Sequence, residues 1–287
     1  MTTILSLAVD ALAYSMVLFI ISIGMSLSLG LMRVINLAHG AFAMIGGYIA
    51  AYITADLGGP YWLAVIAGVL GAVIISLPME RVFYRRLYGA TEMSQILMTI
   101  GITFVIIGVV NFIFGPTLKI IPLPDLFTET ADLGFRTISI GRLFVVLCGA
   151  LVALALWVLI ERTQFGIKLR ATVDNATMSS ALGVRTGRIY AIAFALATGL
   201  AAFGGIIGAE LLPLEPHYAL TYLVTILVIV SVGGSGSIGG VILACLILGG
   251  VETAARYYLP SFGAFFFYVV VIGIVMLLPN GLLGRKA

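Results

Sequence analysis

Between Gly233 and Gly240 the chain reads Gly-Gly-Ser-Gly-Ser-Ile-Gly-Gly, and within it Gly234-x-Gly236-x-x-Gly239 has the spacing of a dinucleotide-binding turn. That chemistry needs a strand before the turn, a helix after it and an acid about twenty residues further on. The context supplies none of these, because from Tyr218 to Val251 there is no charged residue and the flanks are apolar. The run reads instead as a break between two membrane helices, at a depth where irregular backbone lines a cavity. His39 is the residue that could carry a proton, although a single histidine near a helix start is more often a hydrogen-bonded structural group. Cys148 and Cys245 lie in apolar runs without metal-type spacing and read as small core residues. There is no Gly-x-x-x-x-Gly-Lys-Ser/Thr, no His-Glu-x-x-His, no Gly-x-Ser-x-Gly and no pair of carboxylates within an apolar run. The expectation is therefore no catalytic residue, no metal and no cofactor in this chain, so that energy comes from an ion gradient or another subunit. Scarcity of charge deep in the apolar runs argues against the gradient, since ion-coupled carriers keep ionisable groups there.

The polar material is concentrated in an island from Arg170 to Arg188, with apolar runs from Leu143 to Ile160 and from Ile189 to Ala209 on either side. Each run is long enough, or nearly so, to cross a bilayer, so the island lies in water between two spans. Asp174 is placed as an N-cap, residues 175–182 contain neither Gly nor Pro, and Gly183 is placed to end the helix. Met178, Ala181 and Leu182 fall at i, i+3 and i+4, which gives a one-turn apolar knob on a polar stub. A helix this short is not stable alone. It is either a connector or a docking helix for a soluble partner, with the Met178, Ala181 and Leu182 knob as its apolar contact.

The elements around the island follow from composition. Hydrophobic residues make up 62% of the chain and charged residues 9%, where about a quarter charged is usual for a soluble domain; mean hydropathy is +1.20. The fold expected is all-α, a polytopic transmembrane helical bundle of about eight to nine spans with broken helices, forming one domain over residues 1–287. Nine apolar segments are read at about 11–32, 36–55, 60–79, 93–114, 141–160, 188–210, 217–232, 238–256 and 262–280. The start lacks the basic region of a cleavable signal, so the first segment reads as a retained span.

If all nine cross, one side holds Arg33, Arg81, Arg85, Arg86, Arg162, Lys168, Arg170, Arg185, Arg188, Arg285 and Lys286, and the other only Lys119, Arg136, Arg142 and Arg256. The positive-inside rule then puts the N-terminus outside, the C-terminus inside and the loop that carries the island, about 163–188, in the cytoplasm. There the sequon Asn175-Ala-Thr177 is accidental. The segment of about 115–138, with Pro116, Pro122 and Pro124, is an external surface loop.

Three further patterns stand out. Asn36, His39, Gly40, Gly46 and Gly47 interrupt the second segment, and Ser235 and Ser237 sit in the glycine run. These seven are the candidates for lining or shaping a pathway, and two such interruptions point to duplicated halves. Ala193, Ala197, Ala201, Gly205 and Ala209 recur every four residues, a small-residue face for close helix packing.

Gly30-Leu-Met-Arg-Val-Ile-Asn-Leu-Ala-His-Gly40, Asn175-Ala-Thr-Met-Ser-Ser-Ala-Leu-Gly183, the glycine run 233–240 and the ending Pro279-Asn-Gly-Leu-Leu-Gly284 resemble the permease subunits of bacterial branched-chain amino acid ABC importers, over essentially the whole chain. The resemblance implies a bacterial cytoplasmic-membrane protein paired with a second related permease. It further implies two cytoplasmic ABC ATPases that hold ATP and Mg, and a periplasmic or lipid-anchored solute-binding protein. Nucleic acid has no part. Asp174 to Gly183 would be the coupling helix for the ATPases, with Met178 and Leu182 as the apolar contacts, Ser179 and Ser180 at its edge, and Asp174, Asn175 and Gly183 completing the coupling set. The solute implied is a branched-chain or other small neutral amino acid, although the family also moves urea, amides and carboxylates. Ala41 stands where relatives often carry an acid. The competing readings are an ion-coupled secondary carrier working alone and a membrane-embedded enzyme or assembly factor.

Overall fold

The structure is a computed structural model that describes residues 2–132, 137–260, 263–278 and 281–283. Its helices, in chain order, are α1 (Thr2–Met32), α2 (His39–Ala51), α3 (Tyr61–Met79), α4 (Arg85–Leu87), α5 (Glu92–Phe114) and α6 (Asp125–Thr128). They continue as α7 (Ile140–Arg162), α8 (Gln164–Asp174), α9 (Ala176–Ala181), α10 (Thr186–Ile207), α11 (Tyr218–Thr221), α12 (Leu223–Gly233), α13 (Ile238–Tyr258) and α14 (Gly263–Leu277). Two π-helical turns extend α2 and α3, at Tyr52–Asp56 and Glu80–Tyr84. The second follows Pro78, whose ring and missing N–H disturb the regular ladder just before it. One antiparallel hairpin, β1 (Thr130–Asp132) with β2 (Thr137–Ser139), departs from the all-α expectation and gives the loop after α5 a folded core.

Among the described residues six helical stretches are long and apolar enough to cross a membrane: Ile4–Gly30, Tyr61–Leu87, Glu92–Phe114, Ile140–Arg162, Thr186–Glu210 and Ile238–Tyr258. The remaining apolar segments are shorter helices, α2, Tyr218–Gly233 and Phe265–Leu277. Large apolar side chains face outward along α3, α5 and α7, among them Ile74, Phe112 and Leu154, as a hydrocarbon environment allows.

The connections collect on two opposite ends of the bundle. On one, Arg142 pairs with Asp10, Lys119 Nζ lies 3.3 Å from Asp56, and the Lys119 amide donates to the Leu214 carbonyl at 3.0 Å. The other carries the α1–α2 connection, α8, α9 and the turn between α12 and α13. We call these the loop end and the island end.

α10 runs through the middle, against α1, α2 and α3. Ala193, Ala197, Ala201 and Gly205 of its small-residue face are buried, and Ala209 is half-buried. A Cβ on Gly205 would come within 2.4 Å of the Ala43 carbonyl oxygen, so the α2 backbone lies directly on this face. Across the next interface the Ser76 and Thr198 hydroxyls are 2.9 Å apart and fully buried.

Candidate functional site

α9 is built from local signals. α8 continues through Asp174, and the cap of α9 is Asn175: its Oδ1 accepts the Met178 amide at 2.9 Å. The expected Asp174 cap is thus corrected by one residue. Both types cap helices, but Asn175 alone leaves helical φ and ψ, at −153° and 94°. At the other end Gly183 has φ +85°, with the Gly183 amide on the Ser180 carbonyl and the Val184 amide on the Ser179 carbonyl. That pair of bonds is a Schellman stop, which needs a residue tolerant of the left-handed region. The Ser179 hydroxyl donates to the Ala171 carbonyl at 2.8 Å and pins α9 against α8. What projects is apolar: Met178 is 60% exposed and Leu182 78%. Asn175→Ala is expected to cost α9 about 1 kcal/mol, read as roughly fivefold faster hydrogen exchange at the Met178 amide.

The second element is the chain reversal after α1. Arg33, with φ +53°, ends α1, and residues 34–37 run back into the bundle outside any helix. Buried backbone must still be satisfied, and α5 does this with side chains. Gln95 Oε1 accepts the Ile35 amide at 2.9 Å, Thr99 Oγ1 accepts the Leu37 amide at 3.2 Å, and Thr103 donates to the Leu37 carbonyl at 3.3 Å. Asn36 closes the turn: its Oδ1 accepts from the Ala38 amide at 3.1 Å and from the Tyr84 hydroxyl at 2.8 Å. α2 then starts inside the protein at His39, whose Nε2 is 2.8 Å from the Ile21 carbonyl. Gln95→Leu strips the Ile35 amide of its acceptor, an expected loss of about 1–3 kcal/mol measurable as lowered thermal stability in detergent.

A mirrored reversal lies at the loop end. Residues 211–217, with Pro213 and Pro216, lead from α10 down to α11, where Ala219 packs against Gly40 at the start of α2. The two restarting helices therefore abut inside the bundle. The expected counterpart of the first break was the glycine run 233–240. The structure puts residues 211–217 in that role and makes the glycine run a tight turn between α12 and α13.

That turn closes onto α1. A Cβ on Gly30 would stand 2.1 Å from the Gly236 nitrogen, and Ser26 Oγ accepts the Gly236 amide at 3.0 Å. Beside this contact is a cavity of about 750 Å³, lined by Gly30, Arg33, Trp157, Glu161, Arg170 and Asp174 and by Ser235, Gly236 and Ser237. The Leu282 amide, near the end of the chain, donates to the Val232 carbonyl at 2.7 Å, which lays the segment 281–283 along the same turn. Of the ending read at 279–284, residues 279, 280 and 284 lie outside the described residues, as do Arg136, Arg285 and Lys286.

The candidate pathway residues thus fall into two groups. Asn36, His39, Gly40, Gly46 and Gly47 are buried in close packing, Gly46 against Ala202 and Gly47 against Leu214. Ser235 and Ser237 line the open cavity, together with Asp174 from the docking set. Gln95, Thr99 and Thr103 were missed, although three polar residues at intervals of four in an apolar helix mark a side that bonds something. Among the described residues no group of His, Cys, Asp or Glu has the arrangement of a metal site.

Comparison with known proteins adds three findings. Residues 7–278 match the family described as branched-chain amino acid transport system, permease component. The high-affinity branched-chain amino acid transport system permease protein LivH of Salmonella typhimurium is 28% identical over 281 residues, 93% of this chain and 91% of the relative; BraD of Pseudomonas aeruginosa, of the same description, is 29% identical over 283 residues. In fold, the chain is similar to PsaBC from Streptococcus pneumoniae in complex with Fab, with a TM-score of 0.52 at 12% identity, covering 96% of this chain and 91% of that one.

Proposed function

Because this chain belongs to the branched-chain amino acid transport permease family, we propose that it forms half of the membrane pathway of an ABC importer for branched-chain or other small neutral amino acids. The observation that carries the reading is the continuity at the island end. The exposed apolar knob of α9, the Asp174 end of α8, the cavity, and the Gly30–Gly236 contact follow one another without a gap. A push on α9 therefore reaches the contact between α1 and the α12–α13 turn through α8 and the walls of the cavity.

In this account residues 1–287 form one permease domain. Nine segments cross, with the N-terminus outside, the C-terminus inside, residues 163–188 in the cytoplasm and residues 115–138 outside. Two cytoplasmic ATPases hold ATP and Mg and grip the coupling helices of the permease pair, in this chain α9 through Met178 and Leu182, with Asp174, Asn175, Ser179, Ser180 and Gly183 shaping the helix that is gripped. A second related permease completes the pathway, and an external binding protein delivers the solute at the loop end. Ser235 and Ser237 border the inner exit. The packed motif from Asn36 to Gly47 shapes the pathway by fixing how α2 enters the bundle, and α10 packs the centre through Ala193, Ala197, Ala201, Gly205 and Ala209.

Proteoliposomes holding this chain, its permease partner and the ATPases test the reading. Radiolabelled leucine should enter only with ATP on the ATPase side and binding protein on the other. Uptake driven by an ion gradient into vesicles with this chain alone would contradict it and favour a secondary carrier.

A further inference from the structure

Between the end of α3 and the start of α10 lies a recess of about 460 Å³ at the island end, separate from the cavity beside Ser235. Arg81, Arg85, Arg185 and Arg188 all line it. None of the four is in an ion pair among the described residues, whereas Lys119, Arg142, Arg170 and Arg256 each have a carboxylate partner. The recess holds one acid, Glu80, which is buried and accepts the Tyr88 hydroxyl at 3.0 Å. Burial first, and then Glu80, hold the Tyr88 phenol above its usual range, so it remains a donor to that carboxylate. One carboxylate faces four guanidiniums, and the recess stays strongly positive. Arg85 lies against the first turn of α10, where Gly187 has no side chain: a Cβ there would be 3.4 Å from Arg85 Nη2.

The surface that continues from the recess is apolar. Along α3, exposed Leu77, Ile74 and Leu70 precede Arg81 by four, seven and eleven residues and share its face. On α10, exposed Ile192 follows Arg188 by one turn. Cations at the end of an outward apolar stripe reproduce the order of headgroup and acyl chain in one leaflet. A soluble anion or an acidic protein loop would use the guanidiniums but not the stripe.

We propose that this recess binds an anionic phospholipid, with the phosphate between Arg81, Arg85 and Arg188 and the acyl chains on the outer faces of α3 and α10. The opposite wall is Ser180 and Gly183, so the headgroup lies beside the docking helix. The orientation argued above puts the site in the cytoplasmic leaflet; the site itself does not depend on it.

Native mass spectrometry of the chain in detergent, alone and with its partner subunits, tests this with dioleoylphosphatidylglycerol and dioleoylphosphatidylcholine as probes. The glycerol lipid should be retained at least tenfold over the choline lipid in both preparations. The double variant Arg81→Ala/Arg188→Ala should remove that preference, and Ile192→Gln should weaken it with every guanidinium in place. Arg86→Ala, on the same end of the bundle and outside the recess, should leave it intact. Unchanged retention by the double variant overturns the proposal. So does displacement by inorganic phosphate at the lipid's own concentration, which marks a soluble-anion site, and so does loss of the lipid when the partners dock, which marks a protein contact.

Discussion

Replacing Met178 and Leu182 together by aspartate is expected to abolish co-purification of the ATPase subunits while the chain still reaches the membrane. The two side chains stand 60% and 78% exposed on a helix of six residues, held from behind by the Ser179 bond to α8 and at its ends by Asn175 and Gly183. The fold gains nothing from keeping two large apolar groups in water there. Burying most of both against a partner is worth about 3 kcal/mol, roughly a hundredfold in Kd, and two carboxylates forced into the same groove oppose binding further. The substitutions touch no packed residue, so membrane insertion and thermal stability should stay near wild type. Recovery of the complete complex at normal yield would remove α9 from the coupling path.

Gly30→Ala is expected to leave an inserted, partner-binding chain whose uptake falls at least about tenfold. The added methyl would stand 2.1 Å from the Gly236 nitrogen, 2.2 Å from its Cα and 2.6 Å from the Ser235 carbonyl carbon. These are backbone atoms of a tight turn and cannot rotate away, so α1 and the α12–α13 turn must separate, at about 1–3 kcal/mol. If this contact is the inner closure, separation disturbs the closed state without disturbing α9. The control is Gly250→Ala in α13, where nothing lies within 4 Å of the new methyl and helix propensity favours alanine. It should transport normally. Wild-type uptake by Gly30→Ala, measured in the same vesicles, would show that the contact is structural only.

Much of this was legible in the residues because a bilayer leaves little choice. Uncharged runs must be helices, and the island between Ile160 and Ile189 had to leave the membrane. The small-residue face of α10 was equally plain, because only close packing explains five small residues at intervals of four. Other features were harder to read. Asp174 and Asn175 are both capping types, and what separates them is that α8 runs on through Asp174, which depends on Thr163 capping α8 upstream. The second reversal at 211–217 has no signal of its own in the sequence, because its course shows only in where Leu214 and Ala219 land, on Gly47 and Gly40. The stripe Gln95–Thr99–Thr103 was visible as spacing, but its meaning depends on an extended segment about sixty residues earlier that no local pattern announces. The hairpin β1–β2 is three residues a side and too short to alternate.

The central claim is that α9 is an exposed handle on the cytoplasmic side. Ser180→Cys tests it directly, since Ser180 is exposed and both native cysteines, Cys148 and Cys245, are buried. A membrane-impermeant maleimide should label this cysteine in inside-out vesicles stripped of ATPase, leave it unlabelled in intact spheroplasts, and lose access when the ATPases rebind. Labelling from outside the cell, or labelling unaffected by bound ATPase, would contradict the account.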